Sequence, residues 1–300
     1  MRSRRITSRQ PLRGIRTFPP DHRVAVRQFA DLPKIVALSQ LPQSMIQFFR
    51  KVRVALTPRQ WRLCRRLACG AVVCGQNRAG YGARYIYIFG ETIEPEFEQL
   101  ERFLVPGGVL MDIGGNTGIY TIKAAQFFRN QGGGQVVTYE PLPEMLAELK
   151  RNLQLNRFDN VRLRSFCLGE HPGAADFWIN FNRPASASLV GRDPAATHVS
   201  TLVFRLDDVF PLEKLDRLDY VKIDVEGAEA QVLAGARATL NKYRPIVQLE
   251  TGIEDAALAL KDYTEWQSPG GPNKVCIPNE SLKNEVARQL GWNKISTTGP

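Results

Sequence analysis

The 300-residue sequence predicts a doubly wound α/β fold on a mostly parallel sheet, with a basic helical extension in front of it. Three observations carry that prediction. From residue 108 onward, short apolar runs alternate with stretches of helical periodicity. The runs are apolar at consecutive positions, as in strands covered on both faces. The first run, "VLMDI", ends in the turn "GGNTG", which opens directly into a helical segment.

The chain divides into a basic arm (1–30), a basic helical extension (31–84) and a main domain (85–300). The arm, "MRSRRITSRQPLRGIRTFPPDHRVAVR", is rich in Arg and Pro and too poor in apolar residues to offset the entropy of ordering. Residues 43–68 alternate apolar and basic positions at helical spacing with a break near Pro58, which predicts two basic amphipathic helices; packing on the main domain and contact with a membrane surface are both open to them. "RYIYIFG" has the alternation of a strand and "EPEFEQLERFL" that of a short helix. In the main domain "GVLMDI", "GQVVTYE", "VRLRSFCLG", "LDYVKIDVEG" and "RPIVQLET" read as strands. Helices "IYTIKAAQFFRN", "PLPEMLAELKRNLQLN" and "AEAQVLAGARATLNKY" separate them, the second with Leu142, Met145, Leu146, Leu149 and Leu153 on one stripe. The long excursion from Ala175 to Val209 predicts an extra hairpin and a loop over one end of the sheet, the usual place for substrate contacts.

Charge is divided unevenly. Residues 1–66 hold 16 Lys and Arg against two acidic residues, a net of +14, and the rest holds 24 basic against 28 acidic residues, a net of −4. No apolar run approaches the ~20 residues of a membrane span, which predicts a soluble, cytoplasmic protein. The Arg-rich start also fits a mitochondrial transit peptide, although Pro11 and Gly14 interrupt an amphipathic helix there. Cys64, Cys69 and Cys74 are spaced by five with no CxxC pair or neighbouring histidine, a pattern that argues for small buried thiols over zinc ligands or disulfides.

The turn decides between ligands. Its spacing is neither GxGxxG nor a P-loop, since no Gly-Lys-Ser/Thr follows. Asp112 at the strand end would repel a pyrophosphate and favour a cationic ligand. Glu140 ends the next strand, where an acid can accept both ribose hydroxyls of a nucleoside. Asp224 and Glu226 follow the fourth strand on the same rim. A nucleoside bearing positive charge fits this set, and S-adenosylmethionine is one. An NAD-dependent oxidoreductase is disfavoured by Asp112 and by the missing glycine spacing.

"DIGGNTGIYT", "YEPLPEMLAELKRNLQLN", "LDYVKIDVEGAEAQVLAGA" and "RPIVQLE", in that order, resemble the FkbM-type S-adenosylmethionine-dependent methyltransferases over about residues 85–280. The resemblance implies a seven-stranded, Rossmann-like class I methyltransferase sheet with its final strand antiparallel, and O-methylation of a hydroxyl on a sugar or other small molecule. "DYTEWQ" and "NKVCIP" would be the last two strands and "ESLKNEVARQLGW" a terminal helix. Gly115 stands where the family usually has Ala, a substitution expected to be harmless, and Arg205 where many members have Thr. The front, residues 1–80, matches nothing in the family pattern.

Asp112, Gly114, Gly115, Asn116 and Gly118 are thus expected to cradle the methionyl end of the cofactor, Glu140 and Pro141 to meet the ribose, and Cys167 and Leu168, with Gly169, to border the adenine. Asp224 and Glu226 are candidates for a general base or, with Glu250, for a divalent metal site; Glu226 and Glu229 are alternatively expected to cap the following helix. His198, in the long excursion, is a third catalytic candidate, and His171 the only other histidine of the domain. The competing reading is an RNA-directed methyltransferase or a nucleic-acid-binding module using residues 1–66.

Overall fold

A computed structural model describes residues 42–179, 187–188, 197–250 and 260–297. The arm, residues 31–41 of the extension and the middle of the long excursion lie outside the described residues. The chain separates into two compact units, Met1–Ile46 and Gln47–Pro300.

In chain order the elements are α1 (Gln43–Leu56), β1 (Arg62–Arg66), β2 (Val72–Gln76), α2 (Gly82–Phe89), α3 (Pro95–Phe103), β3 (Val109–Ile113), α4 (Ile119–Asn130), β4 (Gln135–Tyr139), α5 (Pro143–Asn156), β5 (Val161–Arg164), β6 (Cys167–Leu168), β7 (Gly173–Ile179), β8 (Ala187–Ser188), β9 (Thr197–Phe204), α6 (Leu206–Val209), β10 (Tyr220–Ile223), α7 (Glu229–Ala234), α8 (Arg237–Tyr243), β11 (Ile246–Glu250), β12 (Tyr263–Gln267), β13 (Asn273–Pro278), α9 (Lys283–Gln289) and β14 (Asn293–Thr297).

The main sheet runs β14-β12-β13-β11-β10-β3-β4-β5. Strands β11, β10, β3, β4 and β5 are mutually parallel. Antiparallel β13 is wedged between β11 and β12, as expected for the strand pair "DYTEWQ" and "NKVCIP". The sheet has eight strands and not seven: β14, beyond the terminal helix, pairs antiparallel with β12 and covers an edge that would otherwise offer unpaired backbone groups.

Both faces are buried. Leu110, Val136, Tyr220, Ile246, Val275 and Ile277 face α3 and α4, where Phe97, Leu100, Phe103, Tyr120 and Phe128 pack on them. Val109, Met111, Ile113, Val137, Val221, Ile223, Val247 and Leu249 face the other way onto Leu206, Val232, Leu233 and Leu240. The alternate residues of each strand therefore serve opposite layers, which is why the runs read as continuously apolar.

Four sequence expectations are corrected. "RYIYIFG" is the helix α2: Ala83 and Ile86, three apart, are buried against β2 and α4, and this packing overrides the strand-like alternation of Tyr and Ile. The second basic helix is the strand β1, paired with β2 in a hairpin. "VRLRSFCLG" divides between sheets, β5 in the main one and β6 beside β9. "AEAQVLAGARATLNKY" is two helices parted at Gly235, whose carbonyl accepts the Asp207 N–H at 3.0 Å and where a Cβ would lie 1.9 Å from the Gly169 carbonyl oxygen. The expected hairpin of the excursion is present as β7 against β9, with β8 alongside β7.

The cysteine expectation also changes. Cys64 and Cys74 are directly opposite across the β1–β2 hairpin and are joined by a disulfide. Antiparallel register brings together residues ten apart that equal spacing along the chain had made look unrelated. Cys69, Cys167 and Cys276 are free thiols.

Candidate functional site

One row of polar side chains crosses the sheet at its site end. Thr138, Asp112, Lys222 and Gln248 are register partners on β4, β3, β10 and β11, all on the layer facing α4. Each is buried. Buried polar groups persist only with partners, and α4 supplies them. The Thr121 hydroxyl donates to Asp112 Oδ2 at 2.6 Å and lies 2.7 Å from the Thr138 hydroxyl. Gln248 Nε2 donates to the Tyr120 hydroxyl at 2.8 Å, and that hydroxyl donates to Glu94 Oε2 at 2.5 Å.

Asp112 has two unlike oxygens. Oδ2 accepts the Thr121 backbone N–H at 3.1 Å and so caps the first turn of α4. Oδ1 is buried without a hydrogen-bond partner, and Lys222 Nζ stands 3.9 Å from it. Burial pushes the Asp112 carboxyl up, opposed first by Lys222. Lys222 Nζ also donates to Asp224 Oδ2 at 2.9 Å and sits 4.9 Å from the centre of the Tyr120 ring. Burial works against its charge, but Asp224 and Asp112 outweigh that and hold its pKa above the ordinary lysine range. The acidic rim therefore contains a buried cation of its own.

The turn after β3 is shaped by the protein around it. Gly114 (φ +81°) and Gly118 (φ +86°) are left-handed, and an added Cβ would lie 1.8 Å from the Asp224 carbonyl oxygen and 2.1 Å from Leu149 Cδ1 respectively. At Gly115 a Cβ would lie 2.3 Å from Thr138 Cγ2, so the change from the family's usual Ala is not neutral: Thr138 fills the alanine's place. Asn116, left-handed at φ 51°, directs its side chain to residues 80–82, accepting from Gly82 N at 3.2 Å and donating to Gly80 O at 3.0 Å.

Glu140, at the end of β4, is joined to the same turn. Oε2 accepts the Asn116 N–H at 2.7 Å and Oε1 accepts the Leu142 N–H at 2.8 Å, while Pro141 between them has no N–H to offer. One lone pair on each carboxylate oxygen remains for a further donor. Burial lifts this carboxyl to about 7 against the two N–H bonds, with Asp112 adding to the rise. Cys167 lies near enough for Glu140 to add to the burial that pushes its thiol to about 12, and Leu168 is buried beside it.

After β10 the chain passes Asp224 to Glu226, a non-glycine residue at φ 55°, and Gly227 at φ 98°. A left-handed glutamate is a strained backbone position, a feature that clusters at functional sites. Glu226 is exposed at the tip of this turn; partial burial first, then the Asp224, Glu250 and Glu229 carboxylates, lift it to about 7. The buried Glu229 opens α7 but does not cap it: its Oε1 accepts from Val225 N at 3.1 Å and Gly227 N at 3.2 Å and so braces the turn before the helix. The metal alternative is not assembled: among the described residues no three His, Cys, Asp or Glu side chains are grouped to hold an ion. His198 is half exposed on β9 with Nε2 3.1 Å from Asp176 Oδ1, and His171 stands 3.8 Å from Glu170 Oε2.

Sequence reading missed Lys222, Gln248, Thr138 and Thr121. The signal was there: "VLMDI", "VVTY", "YVKI" and "IVQL" each set one Asp, Thr, Lys or Gln among apolar and aromatic residues near the strand end, and aligning those positions draws the row.

An open α/β sheet of this kind, with two carboxylates at adjacent strand ends, is a frame in which ligands bind beyond the carboxyl ends of the strands. The methyltransferase FkbM domain matches residues 112–263, just over half of the chain, and the chain belongs to that family. It is similar to the 2-O-methyltransferase NoeI of Sinorhizobium fredii, 26% identical over 168 residues that cover 46% of this chain and 61% of that one. It also resembles Methyltransferase sdnD of Sordaria araneosa, 26% identical over 52% of this chain and 76% of the relative. Methyltransferase 1 of Beauveria bassiana, 28% identical, is matched over 42% of this chain and 57% of its own. The chain thus spans about three fifths of the length of two of these relatives. A solved structure, Methyltransferase FkbM from Methylobacillus flagellatus, aligns with a TM-score of 0.40 at 16% identity over 65% of this chain and 53% of its own.

Proposed function

We propose that the protein is an S-adenosylmethionine-dependent O-methyltransferase acting on a hydroxyl of a sugar or other small molecule. The observation that carries the cofactor is the pair of incompletely used carboxylates at adjacent strand ends: Asp112 Oδ1, buried without a hydrogen-bond partner, and Glu140, with one lone pair left on each oxygen. These fit an ammonium donor and a ribose diol, and ionised Glu140 would repel a pyrophosphate. Cys167 and Leu168 are the residues to border an adenine. S-adenosylmethionine, when bound, supplies an electrophilic methyl group on a sulfonium.

Methyl transfer needs chiefly alignment of the acceptor oxygen, and the chain's part is to position it and remove its proton. Glu226 is the residue suited to that. Its carboxyl is held at about 7, so the ionised form is available at neutral pH while remaining basic enough to take a proton from a hydroxyl that becomes more acidic as its C–O bond forms. Asp224, which accepts from Lys222 Nζ at 2.9 Å, is already engaged and is the weaker candidate. Acceptance of a hydroxyl is in line with the 2-O-methyltransferase among the relatives.

Incubation with cofactor carrying an isotope-labelled methyl and a panel of hydroxylated acceptors, read by mass spectrometry, tests this. Label on an acceptor oxygen with release of S-adenosylhomocysteine is expected. Label found only on nitrogen or carbon would overturn the O-methyl assignment.

A further inference from the structure

Helix α1 turns outward the residues a helix normally buries. Val54 is its buried side chain, packed with Leu63 and Ile88. Phe48, Phe49, Val52 and Leu56 are 62, 50, 41 and 81% exposed, and Trp61, just after the helix, is 61% exposed. At roughly 100° per residue the four helical positions form one stripe opposite Val54, and Lys51 and Arg53 flank it on its two sides. Residues 42–66 carry seven Lys and Arg and no Asp or Glu.

We propose that this face is a docking surface for an anionic lipid membrane, with Phe48, Phe49, Val52, Leu56 and Trp61 entering the headgroup region and Lys51 and Arg53 meeting acidic lipid headgroups. An apolar stripe bordered by cations on both sides is the pattern of a helix that lies in the membrane interface, and a helix of 14 residues is too short to cross one. Charge separates this occupant from the others. Residues 1–41 hold nine basic residues against two acidic, the same sign as the flanks. A second copy stacked stripe to stripe would set Lys51 and Arg53 against their own kind. A nucleic acid would satisfy the cations and stack bases on the rings, but would leave the aliphatic Val52 and Leu56 in water. The proposal is independent of the methyltransferase reading.

The full chain is sedimented with vesicles of phosphatidylcholine alone and of phosphatidylcholine mixed with phosphatidylserine. The acidic vesicles should bind at least about tenfold more tightly, and added salt should weaken them. Phe48→Ser with Phe49→Ser should lower that affinity by about tenfold or more while melting at the parent's temperature, since both rings are exposed, and Lys51→Glu with Arg53→Glu should separately lower it by as much. Absence of binding, equal binding to neutral vesicles, or binding that survives both double variants would overturn the proposal. So would a clear fall in melting temperature in the Phe48→Ser, Phe49→Ser variant, which would mean that the face is already covered. Self-association lost in that variant without vesicle binding would overturn it in favour of a second copy, and salt-sensitive RNA binding lost in the charge variant without vesicle binding in favour of nucleic acid.

Discussion

Lys222 sets the electrostatics of the strand ends. It lies 2.9 Å from Asp224 Oδ2 and 3.9 Å from Asp112 Oδ1, and its raised pKa keeps it charged across the neutral range. Lys222→Met would leave Asp112 buried without a counter-charge. Removing one partner of a buried ion pair costs about 3–5 kcal/mol. Urea unfolding at pH 8 should show a loss of that order, shrinking at lower pH as Asp112 takes up a proton. Glu140 has the opposite sign from a salt-bridged acid. Its ordinary value is 4.5 and its folded value about 7, so between those limits the native state holds a proton that the unfolded chain has released. Stability therefore falls as pH rises through that window and levels off above it. Glu140→Gln should flatten that slope, measured as urea midpoint against pH, and weaken S-adenosylhomocysteine binding at pH 8 by about tenfold or more, the worth of hydrogen bonds to a charged group. Gly115 gives a third test. Gly115→Ala should cost about 1–3 kcal/mol by overpacking Thr138 Cγ2, and Thr138→Ser, which deletes that methyl and keeps the hydroxyl bonded to Thr121, should restore most of it.

At the scale of elements, the β1–β2 hairpin is tied to the glycine turn after β3 through α5. Asn152 Oδ1 accepts the Cys74 N–H at 2.8 Å, and Asn152 Nδ2 donates to the Thr117 carbonyl at 3.1 Å. One turn on, Asn156 accepts from Val72 N and donates to Val72 O, both at 2.7 Å, taking the place of a third strand. One turn back, Glu148 pairs with Arg62 at 2.8 Å. Part of the front that matched no family pattern thus buttresses the turn. The Cys64–Cys74 bridge should be seen as a two-hydrogen mass deficit in the intact protein that reductant removes, and Cys64→Ser with Cys74→Ser should cost about 2–4 kcal/mol in thermal unfolding. The hairpin was hidden in the sequence because "WRLCRRLACGAVVCG" has both apolar and basic residues at helical spacing, and pairing between its halves overrules that periodicity. The helix α2 was hidden for the converse reason: alternating Tyr and Ile mimic a strand, and only packing on β2 reveals the buried Ala83 and Ile86.

At the scale of the molecule, the parallel sheet was legible because its strands are covered on both faces and its turns carry glycines that close contacts require. Gly114 and Gly118 announced a turn, but the space they save is filled by Asp224 and Leu149, which no linear pattern states. Asp112 and Glu140 were legible as strand-end acids. The buried row that holds Asp112 was not, because Lys222 and Gln248 join it only through cross-strand register. β14 escaped for a similar reason: "NKIST" is too polar to announce a strand and is placed by its pairing with β12. The whole molecule also has an uneven charge, basic in residues 1–66 and acidic beyond, which keeps the strand-end carboxylates apart in sequence from the cations of the front. In the proposed function those carboxylates bind a positively charged nucleoside. Calorimetric titration of the intact chain with S-adenosylmethionine and S-adenosylhomocysteine between pH 5.5 and pH 8.5 tests it most directly. Saturable one-to-one binding is predicted, weakening about tenfold per unit below about pH 7 as Glu140 protonates. No heat at millimolar ligand, or an affinity that strengthens as pH falls through 7, would contradict it.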